Sequence, residues 1–493
     1  MMLLVVTSLS SCFELEKFDP NQQNEDTFWQ NEEQLRMGAY ACYDVLQSYW
    51  GDFAQWLYTG LSDEGTNEYP YEFNDLVRFK GDDLNRYIDV WRIMYDMIGR
   101  AYQVIDRAPE IEGPNVPAIT AEARFFVALG YYHLQMMFGD HVAKVESIQS
   151  AADKPPRAEV GEIFGIMERE LLLAIEDLPY ATDYSTSEYG LVSKGAAQAL
   201  LGKVYMQQHK YTEAEQVLKD VIDSDEYMLN DDYAINFDGT EFVNPEAVFI
   251  VNFVFNGPEG PESNDYSLRP RFFSLWETNG AYGDLQATNF ILESYDTELD
   301  QDGDPDPRRD ETIFHENSTK GTYYGEDWYF WHSEVQNPDI LTMFYKYSDQ
   351  DAVNANGGQI DDQLTGTDFI IIRYADVLLL YAEALNQLDR TNEAYTYVDM
   401  VRARANMNDL ATAHPEIGND KAAFHEQLKH ERLVELAGEL VRIEDLKRWG
   451  DYGPNSAEND PNFDTFTVGK NEVGPIPQEE IDLNSNLKQN PNY

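Results

Sequence analysis

The residues of this chain most able to do chemistry are its carboxylates and a few histidines, and their spacing singles out few sites. The run His425-Glu426-Gln427-Leu428-Lys429-His430 comes close to a zinc-binding helix. Two histidines share one helix face when they stand four residues apart, and a spacing of five rotates the second away, so the run is not read as a metal site. No G-x-S-x-G elbow and no phosphate-cradling glycine loop is present. With 90 Asp and Glu in the chain, carboxylate pairs at glycosidase spacing arise by chance and none stands out, so no enzyme is expected. Asp300, Asp302 and Asp304 alternate along one loop, with Glu311 where an EF-hand's last ligand would fall. Calcium takes such oxygen clusters, but Pro305 occupies the place of the sharp-turn glycine. A solvated acidic turn before Arg308-Arg309 is the favoured reading. No cofactor is required, and calcium, if bound, would serve only to tie down the loop.

A second set of residues suits binding without reaction. Sugars present apolar C–H faces and polar rims, so a binder needs exposed rings flanked by amides or carboxylates. Aromatic residues make up 13% of the chain, and those in loops are the candidates. Trp276 and Tyr282 lie in Leu275-Trp276-Glu277-Thr278-Asn279-Gly280-Ala281-Tyr282-Gly283, Trp328 and Trp331 in Glu326 to His332, and Tyr69 and Tyr71 flank Pro70 just after Asn67. Two or more of these loops are expected to form an aromatic platform, against the plainer reading in which each ring anchors its own loop. A formal net charge of -55 repels phosphates and disfavours polyanions, which excludes nucleic acid and, were the ligand a glycan, favours a neutral oligo- or polysaccharide over an anionic one.

Some elements must place such loops, and others must place the chain. Residues 1–9 are mostly apolar and run into Leu9-Ser10-Ser11-Cys12, which resembles a bacterial lipobox, and the apolar run is too short to span a bilayer. Residues 1–11 are therefore read as a signal peptide, Cys12 as the lipidated residue and 12–27 as a tether. Two or three acyl chains would make that attachment effectively permanent. Cys42, left alone, is expected to be a small buried hydrophobe.

Helical spacing of apolar residues predicts helices over Glu32–Gln47, Ile88–Arg107, Ala121–Phe138 with Thr120 as N-cap, and Glu159–Leu178. Two blocks carry the tetratricopeptide pattern: Ala199-Leu200-Leu201-Gly202 with Tyr205, Tyr211 and Ala214, and Tyr374 to Arg404. They stand far apart in sequence and are read as non-tandem. Residues 230–289 lose the helical period and contain a strand-like run, Ala247 to Phe255, broken by Asn256-Gly257-Pro258.

Several stretches, in order, resemble the SusD/RagB family of Bacteroidetes outer-membrane lipoproteins. They are Thr27-Phe28-Trp29 with Asn31 to Leu35 and Gly38-Ala39-Tyr40; Ala121 to Tyr132 closing on Phe138-Gly139-Asp140; Arg373 to Ala384; Val401 to Arg404; Glu431 to Leu436; Asp445 to Gly450; and the ending from Pro475 through Asn484 to Leu487–Tyr493. The resemblance implies a mainly α fold, a tetratricopeptide-like helical-repeat scaffold with long irregular insertions that form a ligand-binding face. It implies a single domain over 28–493, with scaffold helices mainly in 28–229 and 371–450 and a loop-rich insertion at about 230–370. It also implies a lipid-anchored protein facing the cell exterior. Its partner would be a SusC-like TonB-dependent outer-membrane transporter, for which this chain acts as a lid. In that family the region of Asn67, Tyr69 and Tyr71 tends to contribute ligand contacts. Two other readings stay open: peptide uptake of the RagB type, and a helical-repeat protein-interaction scaffold.

Overall fold

The expected helices form, and their ends follow local capping chemistry. A computed structural model describes residues 28–66, 85–139, 143–147, 153–159, 161–253, 267–273, 285–323, 325–334, 342–348 and 365–493. Helix α1 (Glu32–Ser48) starts at Asn31, whose side chain accepts from the Gln34 amide, and buries Leu35, Ala39, Cys42, Val45 and Leu46 along one stripe. Cys42 is thus the buried hydrophobe expected, and burial pushes its thiol pKa well up. Helix α2 covers Asn85–Arg107. Helix α3 (Val116–Phe138) begins a turn before the expected start, because Pro117 suits the first turn. Thr120 therefore lies inside the helix, where its hydroxyl donates to the Val116 carbonyl at 2.7 Å instead of capping. Helix α4 spans Glu162–Asp177.

The two tetratricopeptide-like blocks are helix pairs: α5 (Lys194–Gln207) with α6 (Tyr211–Asp223), and α7 (Tyr374–Gln387) with α8 (Thr391–Arg404). Gly202 of α5 faces Leu218 of α6 so closely that a Cβ there would collide with it, the physical reason for a small residue at that position. Each helix from α1 to α8 packs on its successor, and α6 packs directly on α7 across the whole of residues 224–373. The pairs, separate in sequence, are therefore neighbours in space: the repeat continues through the insertion. Helix α9 (Lys421–Leu436) closes on α7 and α8, followed by α10 (Arg442–Trp449).

The strands are few and short. β1 (Gly65–Thr66) pairs with β3 (Gln286–Ala287), and β4 (Ile313–Phe314) with β5 (Met343–Phe344), each antiparallel. β2 (Ala247–Val251) pairs with β6 (Phe369–Arg373), with Ile250 opposite Ile370 and an irregularity around Phe249. β6 runs without a break into α7. The architecture is mainly helical, as expected.

Ion pairs buried between the repeat and its C-terminal helices hold the insertion to the scaffold. Arg373, 1% exposed, donates to Glu439 at 2.9 Å and Glu435 at 2.7 Å and also reaches Glu246. Arg308 binds Asp306, Glu431 at 2.7 Å and Glu435 at 3.0 Å, while Arg402 joins Glu431 to Glu298. Burial opposes ionisation of Glu435, but Arg404, Arg373 and Arg308 outweigh it and hold the carboxyl well below its usual range. A second group joins Lys203 to Glu444 and Asp376, Arg432 to Asp376 and Asp445, and Arg448 to Glu383 and Asp445. Most of these residues belong to the stretches that carry the family resemblance.

Candidate functional site

Three of the irregular segments start or end at one place. β1 and β3 pair with Gly65 opposite Ala287 and Thr66 opposite Gln286. The chain therefore departs into 67–84 and returns from 274–284 at the same end of this ribbon. Thr342, which follows 335–341, donates its hydroxyl to the Ala287 carbonyl at 2.8 Å. Asn67, Tyr69, Tyr71, Trp276 and Tyr282 lie outside the described residues. The described flanks nevertheless tie the segments that contain them to one root.

That root rests on buried charge. Arg442 donates to both oxygens of Asp63, at 2.7 and 2.9 Å, and Asn459 adds a third bond to Asp63 at 2.9 Å. The Thr288 amide and hydroxyl close onto the carbonyls of Glu64 and Asp63. Burial raises the Glu64 carboxyl to about 8, with Arg442 opposing. A bidentate guanidinium fixes orientation as well as distance, so the ribbon end is a rigid base for whatever it carries.

Beside it stands a short aromatic helix, Trp328–Glu334. Trp328 and Trp331, three residues apart, share its inner face. Trp331 is 2% exposed and donates its indole N–H to the Tyr323 carbonyl at 2.5 Å. Trp328 stacks on His332 with centroids 4.3 Å apart and joins Phe314, Tyr323, Trp331 and Met343 in a small apolar cluster. Both indoles thus anchor the segment and are not open faces. The outer face carries Tyr329 and Phe330, 65% and 39% exposed, with the Tyr329 hydroxyl donating to Glu316 at 2.8 Å. Sequence reasoning passed over this pair, although the helical period alone would have separated it from the tryptophans.

The Asp300 loop is closed by its own bonds. One Asp300 oxygen accepts from the amides of Asp302 and Asp304, and Asn406 donates to the Asp300 and Asp302 carboxylates at 3.1 and 2.9 Å. No metal-binding group of His, Cys, Asp or Glu forms among the described residues, Asp300, Asp302 and Asp304 included. His425 lies edge-on to Trp449, whereas His430 faces Glu298 at 3.6 Å.

Against known proteins, a family model described as "SusD family" matches residues 245–493, and one described as "Starch-binding associating with outer membrane" matches residues 15–206. The chain is 28% identical to SusD-like protein P2 of Formosa agariphila, over 100% of this chain and 98% of that one. It is 26% identical to SusD-like protein P38 of the same organism, over 91% and 90%. A crystal structure of a SusD superfamily protein from Bacteroides vulgatus superposes with a TM-score of 0.81 at 23% identity, covering 95% of this chain and all of that one. A laminarin-binding SusD-like protein gives a TM-score of 0.77 at 23% identity over 94% and 100%. Surface glycan-binding protein A from Bacteroides fluxus gives 0.75 at 23% identity over 94% and 99%. No helix among the described residues is long and apolar enough to cross a membrane. With family matches across nearly its whole length, built on the repeat scaffold and its buried ion pairs, this chain belongs to the SusD family.

Proposed function

We propose that this protein is a cell-surface lipoprotein that captures a neutral oligo- or polysaccharide and delivers it, uncleaved, to a SusC-like TonB-dependent transporter. The observation that carries the reading is the β1–β3 ribbon as shared root of segments 67–84 and 274–284, with Thr342, after 335–341, bonded to it and the helix that exposes Tyr329 and Phe330 packed on the adjoining Met343. Loops set on a rigid base can hold rings at the spacing of a sugar chain with little ordering cost. The acidic composition favours uncharged ligands. Relatives in fold include a laminarin-binding protein and surface glycan-binding proteins, which supports a saccharide as the cargo. Acylation at Cys12 would hold the protein at the outer membrane beside its transporter.

Affinity electrophoresis and calorimetry against laminarin, starch, xylan and alginate test the reading. Binding of a neutral polysaccharide without release of reducing ends is expected. Cleavage of a bound glycan, or binding of alginate alone, refutes it. Co-purification of a TonB-dependent transporter with the acylated protein from outer membranes is expected as well.

A further inference from the structure

A second surface of the molecule has the make-up of a saccharide site. A groove of about 470 Å³ runs between the loop before α5, the loop before β2 and the start of β6. Phe242, 64% exposed, stands at its rim, tilted 48° to Tyr189 with the ring centroids 5.8 Å apart. A ring this open to water leaves its face available to the apolar face of a sugar. Around the two rings lie Thr186, Thr240, Glu241, Asn252 and Asp368, and no Lys or Arg lines the groove among the described residues.

The walls are fixed from behind. The Asn244 amide donates to the Tyr189 hydroxyl at 3.0 Å. Asn244 belongs to a closed set of side-chain amides with Asn230 and Asn236 that ends on Glu246, itself paired with Arg373 and Arg404. Asp368 binds the Asn252 side chain at 2.9 Å and the Phe253 amide at 2.8 Å, tying the end of β2 to the start of β6. Gly239, at φ +69, brings its loop against Thr367, where a Cβ would lie 2.8 Å from the hydroxyl. Rings, hydroxyls, an amide and carboxylates with spare acceptor positions are thus held in place before any ligand arrives.

We propose that the Tyr189–Phe242 groove is a second binding site for a neutral saccharide, in which a pyranose ring lies on Phe242 and its hydroxyls meet Asp368, Asn252 and Thr240. The inference rests on the reading of the chain as a glycan binder. It adds a separate site, because the groove shares no lining residue with the loop root. Carboxylate acceptors without a cation nearby suit the O–H donors of an uncharged sugar and repel an anionic one.

The test titrates the full-length protein with laminarihexaose, maltohexaose, cellohexaose and xylohexaose in turn, by calorimetry, and soaks crystals with whichever binds. Two sites per chain are expected, with density for a sugar ring against Phe242. Phe242→Leu should weaken the second site about thirtyfold, the loss of a central aromatic anchor, and Phe242→Tyr should restore it. Phe242 is exposed, so neither change threatens the fold. One site per chain that is unaffected by Phe242→Leu, or a groove that takes up a basic peptide and no sugar, overturns this inference and leaves the proposed function standing. Failure of the whole panel to bind overturns both.

Discussion

Replacing Glu383 with Gln removes one buried charge and almost no volume, so its cost reports the worth of the ion pairs that lock the scaffold. Glu383 is 1% exposed. It accepts from Arg448 at 2.8 and 3.1 Å and from the Trp449 indole at 3.0 Å. Burial pushes its carboxyl up, but Arg448 outweighs burial and holds it at about 2, against 4.5 when free. The folded value is the lower one, so ionised Glu383 stabilises the protein above pH 4.5, and that stability is lost as the pH falls towards 2. At about 1.4 kcal/mol per pH unit the gap is worth about 3 kcal/mol at pH 7 and about 1 kcal/mol at pH 3. A chain of 493 residues unfolds with an entropy of about 1 kcal/mol/K, so Glu383→Gln should lower Tm by about 3 °C at pH 7 and about 1 °C at pH 3. Differential scanning calorimetry of both proteins at the two pH values measures this. A loss at pH 7 under about 1 °C, or one that does not shrink on acidification, would refute the assignment.

Other substitutions separate anchoring from binding and scaffold from tether. Phe330→Ala should weaken glycan retention in affinity electrophoresis about tenfold with Tm unchanged, whereas Trp331→Ala should cost about 3–5 kcal/mol of stability, read by thermal unfolding. Gly202→Val forces a branched side chain against Leu218 and should cost about 1–3 kcal/mol in the same assay. Cys12→Ala should abolish incorporation of labelled palmitate and move the protein out of the membrane fraction.

The repeat pattern was legible wherever a helix buries one stripe. Leu35, Ala39 and Leu46 point inward in α1 as their spacing predicts, and Leu200, Gly202, Tyr205 and Ala214 are buried in α5 and α6, with Gly202 against Leu218. The contact of α6 with α7 was not legible, because it is made across the insertion and no local period records it. β6 was missed for a different reason. Phe369-Ile370-Ile371-Ile372 is short and continues into α7 with no Gly or Pro between, so nothing in the sequence marks where period two gives way to 3.6. At the site, the segment from Trp328 to Glu334 was rightly noted as aromatic, but its rings were placed by residue type and not by face. Tryptophan is the larger apolar body and took the inner side.

The buried ion pairs also bear on what the surface can bind. Arg308, Arg373, Arg402, Arg432, Arg448 and Lys346 are withdrawn into the scaffold, and each faces a carboxylate there. Fewer of the 35 basic side chains than composition implies are therefore free to meet an anionic polysaccharide. The segments at the loop root do not make up the deficit. Arg78 and Lys80 are the basic residues of 67–84, against Glu68, Glu72, Asp75, Asp82 and Asp83, while 274–284 and 335–341 hold Glu277, Asp284 and Asp339 and no Lys or Arg. A uronate or sulfate ester brought there would meet net negative charge on every side, a repulsion that salt weakens but does not reverse. On the proposed reading, an uncharged glycan would meet instead the acceptors its hydroxyls need. The proposed selection against charge would then follow from the same residues that hold the fold, since the scaffold draws its guanidinium groups inside.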